Sequence, residues 1–427
     1  MGFVITRSPV PSQKAGGFMQ LNVLEHLTYA DVRANATAAI QTAIDACAQV
    51  GGGTVLIPGS GPYTIDGLVL KSHVTLHIAA GATLVGSGNE DRYTHRPGPF
   101  ELNRNATPIC GLIYAKGQTD IAITGAGTID GNYQRFIYPD QGDEVHLKFY
   151  KYPRPMTVYF EDCHQVCLQD VTLQNAPFWT VHLVGCQNTE IAHVTIHNEP
   201  RMPNTDGIDV DRSKNTYIHD CDIVTGDDAI CPKCTEETAA YSDCTNLLVE
   251  NCTLKTQSSA VKFGSSSFGN FYNCHFQHLT ITDTNRGLTF QLRDPGSAEN
   301  IRFNDISIVT KHYSKEWWGS GEPIFISLLP RDAQTDLTGQ RIRNVSFTNI
   351  TCNAENGLFI GSVADHMIQN LTLDHVTLTL RRPLGSPVQY DLRPWQGTPK
   401  IPATLHGIET YRENTYTTHE FVVRPAK

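Results

Sequence analysis

Polar and apolar positions follow a repeating phrase through the second half of the chain. The phrase is an Asn, two residues, an apolar residue, two mostly polar residues, and then an apolar-Thr-apolar unit or a close variant. It occurs as NTEIAHVTI from Asn188, NTYIHDCDI from Asn215, NLLVENCTL from Asn246, NCHFQHLTI from Asn273, NIRFNDISI from Asn300, NVSFTNITC from Asn344 and NLTLDHVTL from Asn370. The period is about 26 to 31 residues, with one longer gap of about 44.

A repeat of this length cannot bury its own apolar face, so successive repeats must stack. The units are rich in short strand patterns and have no helical period, which predicts a single-stranded right-handed parallel β-helix with alternate residues inside. A β-propeller would need a repeat of roughly 40 to 45 residues. The recurring Asn predicts a ladder of stacked amides at a turn, which is a structural feature rather than a ligand site.

A helix is predicted near the N-terminus, over residues 36–49, with Asn35 and Thr37 as candidate N-caps and Gly51 to Gly53 at its end. Its apolar positions fall near one face, at Ile40, Ala43, Ile44 and Cys47. Short Val, Ile and Leu strands separated by Gly, Pro and Ser follow it. This order predicts an all-β solenoid with a short capping helix.

The predicted organisation is one domain, residues 1–427, with residues 1 to about 60 as an N-terminal cap region. Three segments depart from the repeat, at about 88–105, 132–155 and 311–340. Long loops on a solenoid tend to build its binding face, so these segments are predicted to lie over a cleft.

The amino-acid composition indicates which classes of binding partner to expect. The chain has 427 residues, 40% of them hydrophobic, and a net charge of −10. The negative balance without a basic block argues against nucleic acid as the main partner, and an anionic substrate would need local Lys or Arg. No stretch approaches the roughly 18 apolar residues of a membrane span.

Residues 1–11 lack the apolar core of a secretory signal. The 12 cysteines are scattered through strand-like segments, as expected for buried, reduced thiols. A cytoplasmic location is therefore expected, or a secreted one if a signal has been removed.

Candidate chemistry lies where four successive rungs align, as DGIDVD from Asp206, DAICPK from Asp228, SAVKFG from Ser259 and RGLTFQ from Arg286. Neighbouring strands lie about 4.8 Å apart. Asp206 and Asp228 should therefore lie side by side, with Asp227 reaching the same surface from the turn. The predicted inward columns are Ile208, Ile230, Val261 and Leu288, then Val210, Pro232, Phe263 and Phe290. The predicted outward columns are Asp209, Cys231, Lys262 and Thr289, then Asp211, Lys233, Gly264 and Gln291.

Clustered carboxylates cannot all ionise cheaply, so at least one pKa should rise, as an acid and a base at one site require. A glycosidase that inverts configuration holds its acid and base roughly 6.5–9.5 Å apart, which adjacent rungs could supply. The alternative is that these aspartates are turn formers or calcium ligands.

The sequence that carries these motifs resembles glycoside hydrolase family 28, the polygalacturonase family of pectin-degrading, pectin-lyase-like β-helices. The resemblance covers nearly all of the chain. It rests on TAAIQTAIDACAQVGGGTVLIP, LKSHVTLHIAAGATLVGS, NAPFWTVHLVGCQN, NTDGIDVD and GDDAICPK, which include Asn204 and Lys233. It implies hydrolysis with inversion, with Asp227 as general acid and with Asp206 and Asp228 holding the water, and it implies no metal or organic cofactor.

The chain departs from the family in two places. The family's Gly-His-Gly aligns with Ser258-Ser259-Ala260, and its Arg-Ile-Lys, whose cations hold the substrate carboxylate, aligns with Thr289-Phe290-Gln291. Other basic residues, Lys262, Arg286 and Arg293, would either replace the lost charges or pair with neighbouring acids.

Substrate contacts are predicted at Asn204, Lys233, Ser259 and Gln291. Further contacts are predicted with a structural alternative for each. Trp317 and Trp318, followed by Glu322, would form a sugar-stacking wall or be buried under their loop. His182 would contact substrate or be a structural histidine at a strand end. Arg331 would bind a uronate or form a loop salt bridge.

The pair Cys231 and Cys234 forms a C-x-x-C that would bind zinc together with Cys244, or would lie buried in the solenoid.

The predicted activity is hydrolysis of an α-linked pectic or related plant-type oligosaccharide or polysaccharide, with attack from one end. The alternatives are a lyase or epimerase on the same fold, and a carbohydrate-binding β-helix that has lost catalysis. The sequence predicts no oligomeric state.

Overall fold

Parallel strands form most of the regular structure. The computed structural model describes residues 19–26, 34–89, 92–96, 109–149, 154–393 and 400–426. The chain divides into two compact units, residues 1–209 with 213–222 and residues 210–212 with 223–427, and each is described by itself. The predicted single domain stays a prediction, and parts of the predicted cap region (1–18, 27–33) and loops (90–91, 97–105, 150–153) lie outside the described residues.

The first unit contains helix α1 (Thr37–Gln49), two short 3-10 helices (Val23–His26 and Tyr133–Phe136) and most of the shorter strands. Its strands are β1 (Met19–Asn22), β2 (Gly53–Ile57), β3 (Gly61–Ile65), β4 (Leu68–Val69), β5 (Val74–Ile78), β6 (Ala82–Gly86), β7 (Thr94–Arg96), β8 (Ile109–Lys116), β9 (Thr119–Thr124), β10 (Thr128–Asp130), β11 (Met156–Glu161), β12 (His164–Gln169), β13 (Thr172–Gln174), β14 (Val181–Val184), β15 (Gln187–Ala192) and β16 (Thr195–His197). The boundary between the units passes through β17 (Ile208–Asp211) and β19 (Asp222–Thr225), and β18 (Lys214–His219) belongs to the first unit.

The second unit contains longer strands and one antiparallel hairpin. Its strands are β20 (Ile230–Lys233), β21 (Cys244–Glu250), β22 (Thr253–Thr256), β23 (Ser259–Ser265), β24 (Phe271–Gln277), β25 (Thr280–Thr284), β26 (Arg286–Leu292), β27 (Ala298–Thr310), β28 (Ile324–Leu328), β29 (Ile342–Ala354), β30 (Leu358–Ser362), β31 (Ile368–Leu380), β32 (Pro387–Asp391), β33 (Lys400–Thr404), β34 (Ile408–Tyr411), β35 (Tyr416–His419) and β36 (Val422–Pro425).

Strands one repeat apart pair in parallel within each unit. In the first unit β12 pairs with β15 and β15 with β18. In the second unit β20, β23, β26, β28, β30 and β34 follow one another in one sheet, while β24, β27, β29 and β31 do so in another. This coil-on-coil pairing is the expected parallel β-helix, and that fold class is confirmed.

The predicted register is confirmed where the strands of the second unit can be compared. Ile230 pairs with Val261, which pairs with Leu288, and Phe263 pairs with Phe290. These side chains are fully buried. The rings of Phe263 and Phe290 stack with centroids 4.6 Å apart. Because alternate residues of a strand point to opposite faces, this register fixes which residues face away from the core.

The capping helix is confirmed with its predicted face, because Ile40, Ala43, Ile44 and Cys47 are its buried residues. The side chain of Asn35 accepts the backbone N–H of Thr37 at 3.0 Å. Cysteines whose side chains the structure describes are all buried free thiols. None of the helices in the described residues has the length and apolar character needed to cross a membrane.

The predicted asparagine ladder is present in both units. The ladder Asn residues have a left-handed backbone with φ between 51° and 59°. In five pairs the side-chain amide nitrogen of one Asn donates to the side-chain oxygen of the Asn one coil before. The pairs and their N···O distances are Asn215 to Asn188 at 3.0 Å, Asn273 to Asn246 at 3.4 Å, Asn300 to Asn273 at 3.4 Å, Asn344 to Asn300 at 3.1 Å and Asn370 to Asn344 at 3.1 Å. Asn therefore supplies both the turn conformation and a bond between coils.

Replacing Asn300 separates these two contributions. Asn300→Ala loses the ladder bonds on both sides and places a Cβ residue at φ 59°, so we expect the free energy of unfolding to fall by about 2 kcal/mol. Asn300→Gly loses the same bonds without the left-handed strain and should recover roughly half of that loss. Chemical denaturation of the three proteins measures this, and three equal midpoints would show that the ladder does not stabilise the fold.

Candidate active site

Two adjacent aspartates lie in the turn between β19 and β20. Asp228 is 1% exposed, whereas Asp227 is partly exposed. The hydroxyls of Thr225 and Thr256 both donate to the backbone carbonyl of Asp227, and the backbone N–H of Asp228 donates to Asp227 Oδ1 at 3.0 Å. The turn is therefore held by hydroxyl groups from two neighbouring coils, and Asp227 is the less buried of its two aspartates.

Three hydrogen-bond donors surround the Asp228 carboxylate. Its Oδ1 accepts Ser258 Oγ at 2.8 Å and the Ser259 backbone N–H at 3.1 Å. Its Oδ2 accepts Lys262 Nζ at 2.7 Å and lies 3.8 Å from Cys231 Sγ. A carboxylate that accepts three such donors, one of them an ammonium group, is stabilised in its charged form. The predicted closeness of Ser259 and Lys262 to Asp228 is confirmed.

Neighbouring charges shift the pKa values of the two aspartates in opposite directions. Burial raises the pKa of Asp227, and the adjacent Asp228 raises it further, against the opposing effect of Lys262 and Lys233. Burial also opposes ionisation of Asp228, but the ammonium groups of Lys262 and Lys233 outweigh it and lower the pKa of that carboxyl. Burial opposes charge on Lys262 too, yet Asp228 outweighs it and raises the lysine's pKa. The pair thus combines a weaker acid, Asp227, with a stronger acid, Asp228.

The Asn204–Asp206 turn of the first unit is held by a residue that the sequence did not single out. Arg154 is 3% exposed, and it donates to the backbone carbonyls of Pro177 and Pro203, each at 2.8 Å, and to Asn204 Oδ1 at 2.7 Å. Asn204 has φ 60°, and Asp206 is 2% exposed. Arg154 lies in a segment outside the repeat, so the repeat gave no signal for it.

Of the two tryptophans predicted to contact substrate, Trp318 lies near Lys262 beside the aspartate pair, whereas Trp317 is buried. The ring centroid of Trp318, which is partly exposed, lies 5.8 Å from Lys262 Nζ. The backbone carbonyl of Trp318 accepts Asn285 Nδ2 at 3.1 Å, which fixes its position. Trp317 is 3% exposed, and its carbonyl accepts the Arg393 guanidinium at 3.3 Å. The predicted sugar-stacking role is therefore corrected for Trp317, which is buried under its loop.

Two arginines that were predicted to bind the substrate's carboxylate form ion pairs with acidic residues of the protein. Arg286 is 1% exposed, forms an ion pair with Glu322 at 3.3 Å and lies 3.6 Å from the ring centroid of Phe325. Arg331 makes two bonds to the Asp294 carboxylate, at 2.6 and 2.8 Å. Both arginines therefore form the ion pairs of the structural alternative. The buried Arg286 and Glu322 do not fit the predicted substrate contacts, which are corrected, whereas the contact of Arg331, whose side chain is 18% exposed, stays a prediction.

Two other predicted contacts are held by backbone carbonyls of the second unit. Arg293 is 4% exposed and donates to the carbonyl of Arg331 at 2.9 Å. Gln291 is 3% exposed, and its side-chain amide donates to the carbonyl of Arg393 at 2.8 Å. Both side chains therefore anchor neighbouring loops.

His182 has no exposed surface. Its Nδ1 lies 3.3 Å from Met156 Sδ, its ring stacks on Tyr159 at 5.3 Å, and it meets Trp179 edge-on at 4.8 Å. This packing matches the structural histidine at a strand end rather than the predicted substrate contact.

Two groups of residues could be considered as metal sites, the C-x-x-C cysteines with Cys244 and a histidine-containing cluster of the first unit. The ligand atoms of Cys231, Cys234 and Cys244 do not converge as one group among the described residues, so the zinc alternative has no geometric support there. His193, His219 and Asp220 on the first unit have ligand atoms within 4.8 Å of one another. His219 nevertheless bonds Asp220 at 2.6 Å through Nδ1 and lies 3.3 Å from Glu190 through Nε2, so the group is already a hydrogen-bonded cluster.

Known proteins resemble this chain in sequence and in fold. The sequence profile described as Glycosyl hydrolases family 28 matches residues 47–314. A probable polygalacturonase of Vitis vinifera is 31% identical over 302 residues, which span 67% of this chain and 59% of that protein. An endo-polygalacturonase of Pectobacterium carotovorum subsp. carotovorum is 28% identical over 290 residues, 66% of this chain and 70% of that protein. Among solved structures, an exopolygalacturonase from Thermotoga maritima superposes with a TM-score of 0.74 at 20% identity, covering 95% of this chain and 92% of that one.

Proposed function

The chain belongs to the glycosyl hydrolases of family 28, and from that premise we propose that it hydrolyses an α-linked bond of a pectic or related plant-type oligosaccharide with inversion. The family relationship rests on the profile match over residues 47–314, and the relatives named above are polygalacturonases. The proposal concerns the substrate, the stereochemistry and the residues that act.

The observation that carries the proposal is the opposite acidity of two neighbouring carboxyl groups. Asp227, partly exposed and with a raised pKa, is suited to donate a proton to the leaving oxygen. Asp228, held ionised by Lys262, Ser258 and Ser259, is suited to accept a proton from water. Such a division of acid and base is what glycoside hydrolysis requires.

In this mechanism Asp227 is the general acid. Asp228, together with the Asp206 that the sequence repeat predicts beside it, holds and activates the water. Water attacks the anomeric carbon while the bond to the leaving oxygen breaks and that oxygen takes the Asp227 proton. The water's proton passes to the carboxylate side, so both atoms and charge balance.

The test is product analysis on a panel of pectic oligosaccharides, with the anomer of the first product followed by NMR before it mutarotates. The panel contains α-1,4-linked galacturonate oligomers, their methyl esters and rhamnose-containing pectic oligomers. We expect one substrate class to release sugar with the inverted anomer. Retention of configuration, or no turnover of any member, would overturn the proposal.

A lyase on the same fold is disfavoured because Lys262, the side chain that would serve as its base, is held in the charged form. A lyase needs a neutral, basic side chain, but the ion pair with Asp228 raises the pKa of Lys262 and keeps it protonated. Arg286 is buried against Glu322. Products that absorb in the ultraviolet would identify a lyase directly.

Attack from one end of the substrate is part of the proposal. The loop that carries Trp318 is bound to the β32–β33 hairpin because the Arg393 guanidinium donates to the carbonyls of Lys315 and Trp317. A firmly held loop beside Lys262 and Asp228 supports restricted access of a polymer to the acid–base pair. Digestion of a long polymer should give short products from the start, and an early mixture of oligomer lengths would contradict end-wise attack.

Trp318 offers a face for a sugar ring in this mechanism. Trp318→Ala should raise KM about tenfold with a smaller change in kcat, since aromatic stacking contributes roughly 0.5–1.5 kcal/mol. Trp318→Phe keeps an aromatic face and should lie close to the wild type. Steady-state kinetics on the active substrate measures both, and an unchanged KM in Trp318→Ala would remove Trp318 from the binding site.

A further inference from the structure

Two cysteines of the first unit occupy the same position in successive coils. The last paired residues of β11 and β14 are Glu161 and Val184, and Cys163 and Cys186 each follow two residues later. The next strands, β12 and β15, then pair in the same register. Because the register is the same before and after the turn, Cys163 lies directly opposite Cys186.

The two thiol groups are close enough to interact. Cys186 Sγ lies 3.4 Å from the backbone carbonyl oxygen of Phe160, in the strand that leads to Cys163, and the two thiols are within hydrogen-bonding reach of each other. The backbone N–H of Gln187 donates to the Cys163 carbonyl at 2.9 Å, which joins the two turns. Backbones of neighbouring parallel strands are about 4.8 Å apart, and a disulfide spans roughly 4.4–6.8 Å between Cα atoms. The spacing of the coils therefore suits a disulfide.

The two thiols differ in acidity in the way that an attacking and a resolving cysteine do. The hydrogen bond with Cys186 lowers the pKa of Cys163, although burial opposes this effect. Burial raises the pKa of Cys186, and the hydrogen bond with Cys163 raises it further. Cys163 therefore forms the thiolate more readily, and Cys186 remains beside it as a thiol.

A third cysteine of the same unit has no such neighbour. Cys167, in β12, lies opposite Ala122 of β9 and Glu190 of β15. It is also buried, and burial raises its pKa to about 12. Cys167 is thus a matched buried thiol without a cysteine opposite it.

We propose that Cys163 and Cys186 form a disulfide when the chain folds in an oxidising environment, so that two successive coils of the first unit become covalently linked. The oxidant is a small disulfide such as oxidised glutathione. The Cys163 thiolate attacks one of its sulfurs, which forms a mixed disulfide and releases one glutathione thiolate. Cys186 then loses its proton and attacks the Cys163 sulfur, which releases the second glutathione thiolate. Two cysteine thiols are oxidised and one disulfide is reduced to two thiols, so electrons and protons balance.

The burial of both side chains determines when this exchange takes place. Neither thiol has exposed surface in the folded chain, so the oxidant must react before the coils close over the pair. Once formed, the bond is protected from reductants by the same burial. The inference concerns folding and stability and does not depend on the proposed function.

The linked coils frame the Asn204–Asp206 turn. Arg154 lies just before β11, and it donates both to the carbonyl of Pro177, which lies before β14, and to Asn204 Oδ1. A covalent link between these two coils therefore stabilises the part of the solenoid that supports this turn.

The experiment compares the full chain refolded with reduced glutathione alone and with a mixture of reduced and oxidised glutathione. Protein produced in a bacterial periplasm gives a second oxidised sample that needs no refolding in vitro. Free thiols are alkylated, and the protein is digested with chymotrypsin, which cleaves after Phe178 and Trp179, between the two cysteines. Mass spectrometry then detects the peptides of Cys163 and Cys186 as one linked species, and Tm is measured on the same samples. The variants are Cys163→Ser and Cys186→Ser, with Cys167→Ser as the matched control.

We expect the linked peptide in the oxidised wild type and in Cys167→Ser, and its absence from Cys163→Ser and Cys186→Ser. Tm of the oxidised wild type should lie about 3–6 °C above that of the reduced protein, with the same shift in Cys167→Ser and none in the other two variants. Alkylated Cys163 and Cys186 in both oxidised samples would overturn the proposal. A redox-dependent Tm shift that persists in Cys186→Ser would overturn it as well, because another pair of cysteines would then be responsible.

Discussion

Asp227→Asn should lower kcat by at least about 10³-fold on the substrate that the wild type cleaves. The amide keeps the shape of the carboxyl group but carries no transferable acidic proton, so the leaving oxygen departs as an unprotonated alkoxide. Loss of a positioned proton donor costs typically 10²–10⁴ in rate. KM should change little, because the side chain acts on the transition state rather than on substrate binding.

The matched control for this change is Asp305→Asn. Asp305 is an exposed turn residue with φ 55°, and Asn occupies the equivalent repeat position at 251 and 349 with the same left-handed backbone. The control should therefore fold and turn over substrate like the wild type. Full activity in Asp227→Asn would remove this residue from the mechanism, and equal losses in both variants would indicate a general structural effect.

The register of the solenoid was predictable because two simple rules determine it. Alternation along a strand separates the core face from the opposite face, and stacking of repeats places like positions side by side. These rules correctly placed Ser259 beside Arg286 and Lys262 close to Asp228. The Asn ladder follows from the same periodicity.

The hydrogen-bond and ion-pair partners of the charged side chains could not be predicted, because these partners lie outside the repeat. Glu322, which pairs with Arg286, is 36 residues downstream, and the Asp391 carbonyl that accepts its guanidinium is 105 residues downstream. Arg154 bonds Asn204 over a separation of 50 residues. No periodic pattern links such positions, so the choice between a free cation and an ion pair needed the structure.

Lys262→Met should shift the whole pH–rate profile towards higher pH and reduce kcat/KM by roughly 10²–10³-fold at acidic pH. In the wild type, burial favours the neutral form of Asp228, and the ammonium groups of Lys262 and Lys233 outweigh it, so the pKa is lowered. Without Lys262 burial is less opposed and this pKa rises, so the ionised base forms only at higher pH. Lys262 also lowers the pKa of Asp227, so its removal raises that pKa too. Both limbs therefore move in the same direction, and activity recovers in part as the pH is raised.

Two further variants distinguish this electrostatic effect from loss of structure. Breaking a buried ion pair costs about 3–5 kcal/mol of stability, and the Lys262 and Asp228 side chains are 8% and 1% exposed, so thermal unfolding is measured alongside the kinetics. Lys262→Arg retains the charge and should hold the acidic limb near its wild-type position, while Lys255→Met removes an exposed lysine of the same unit and should leave the profile unchanged. A Lys262→Met protein that is folded and has the wild-type pH profile would show that Lys262 does not set the ionisation of Asp228. In that case Lys233 and the donors from Ser258 and Ser259 would keep this carboxylate charged.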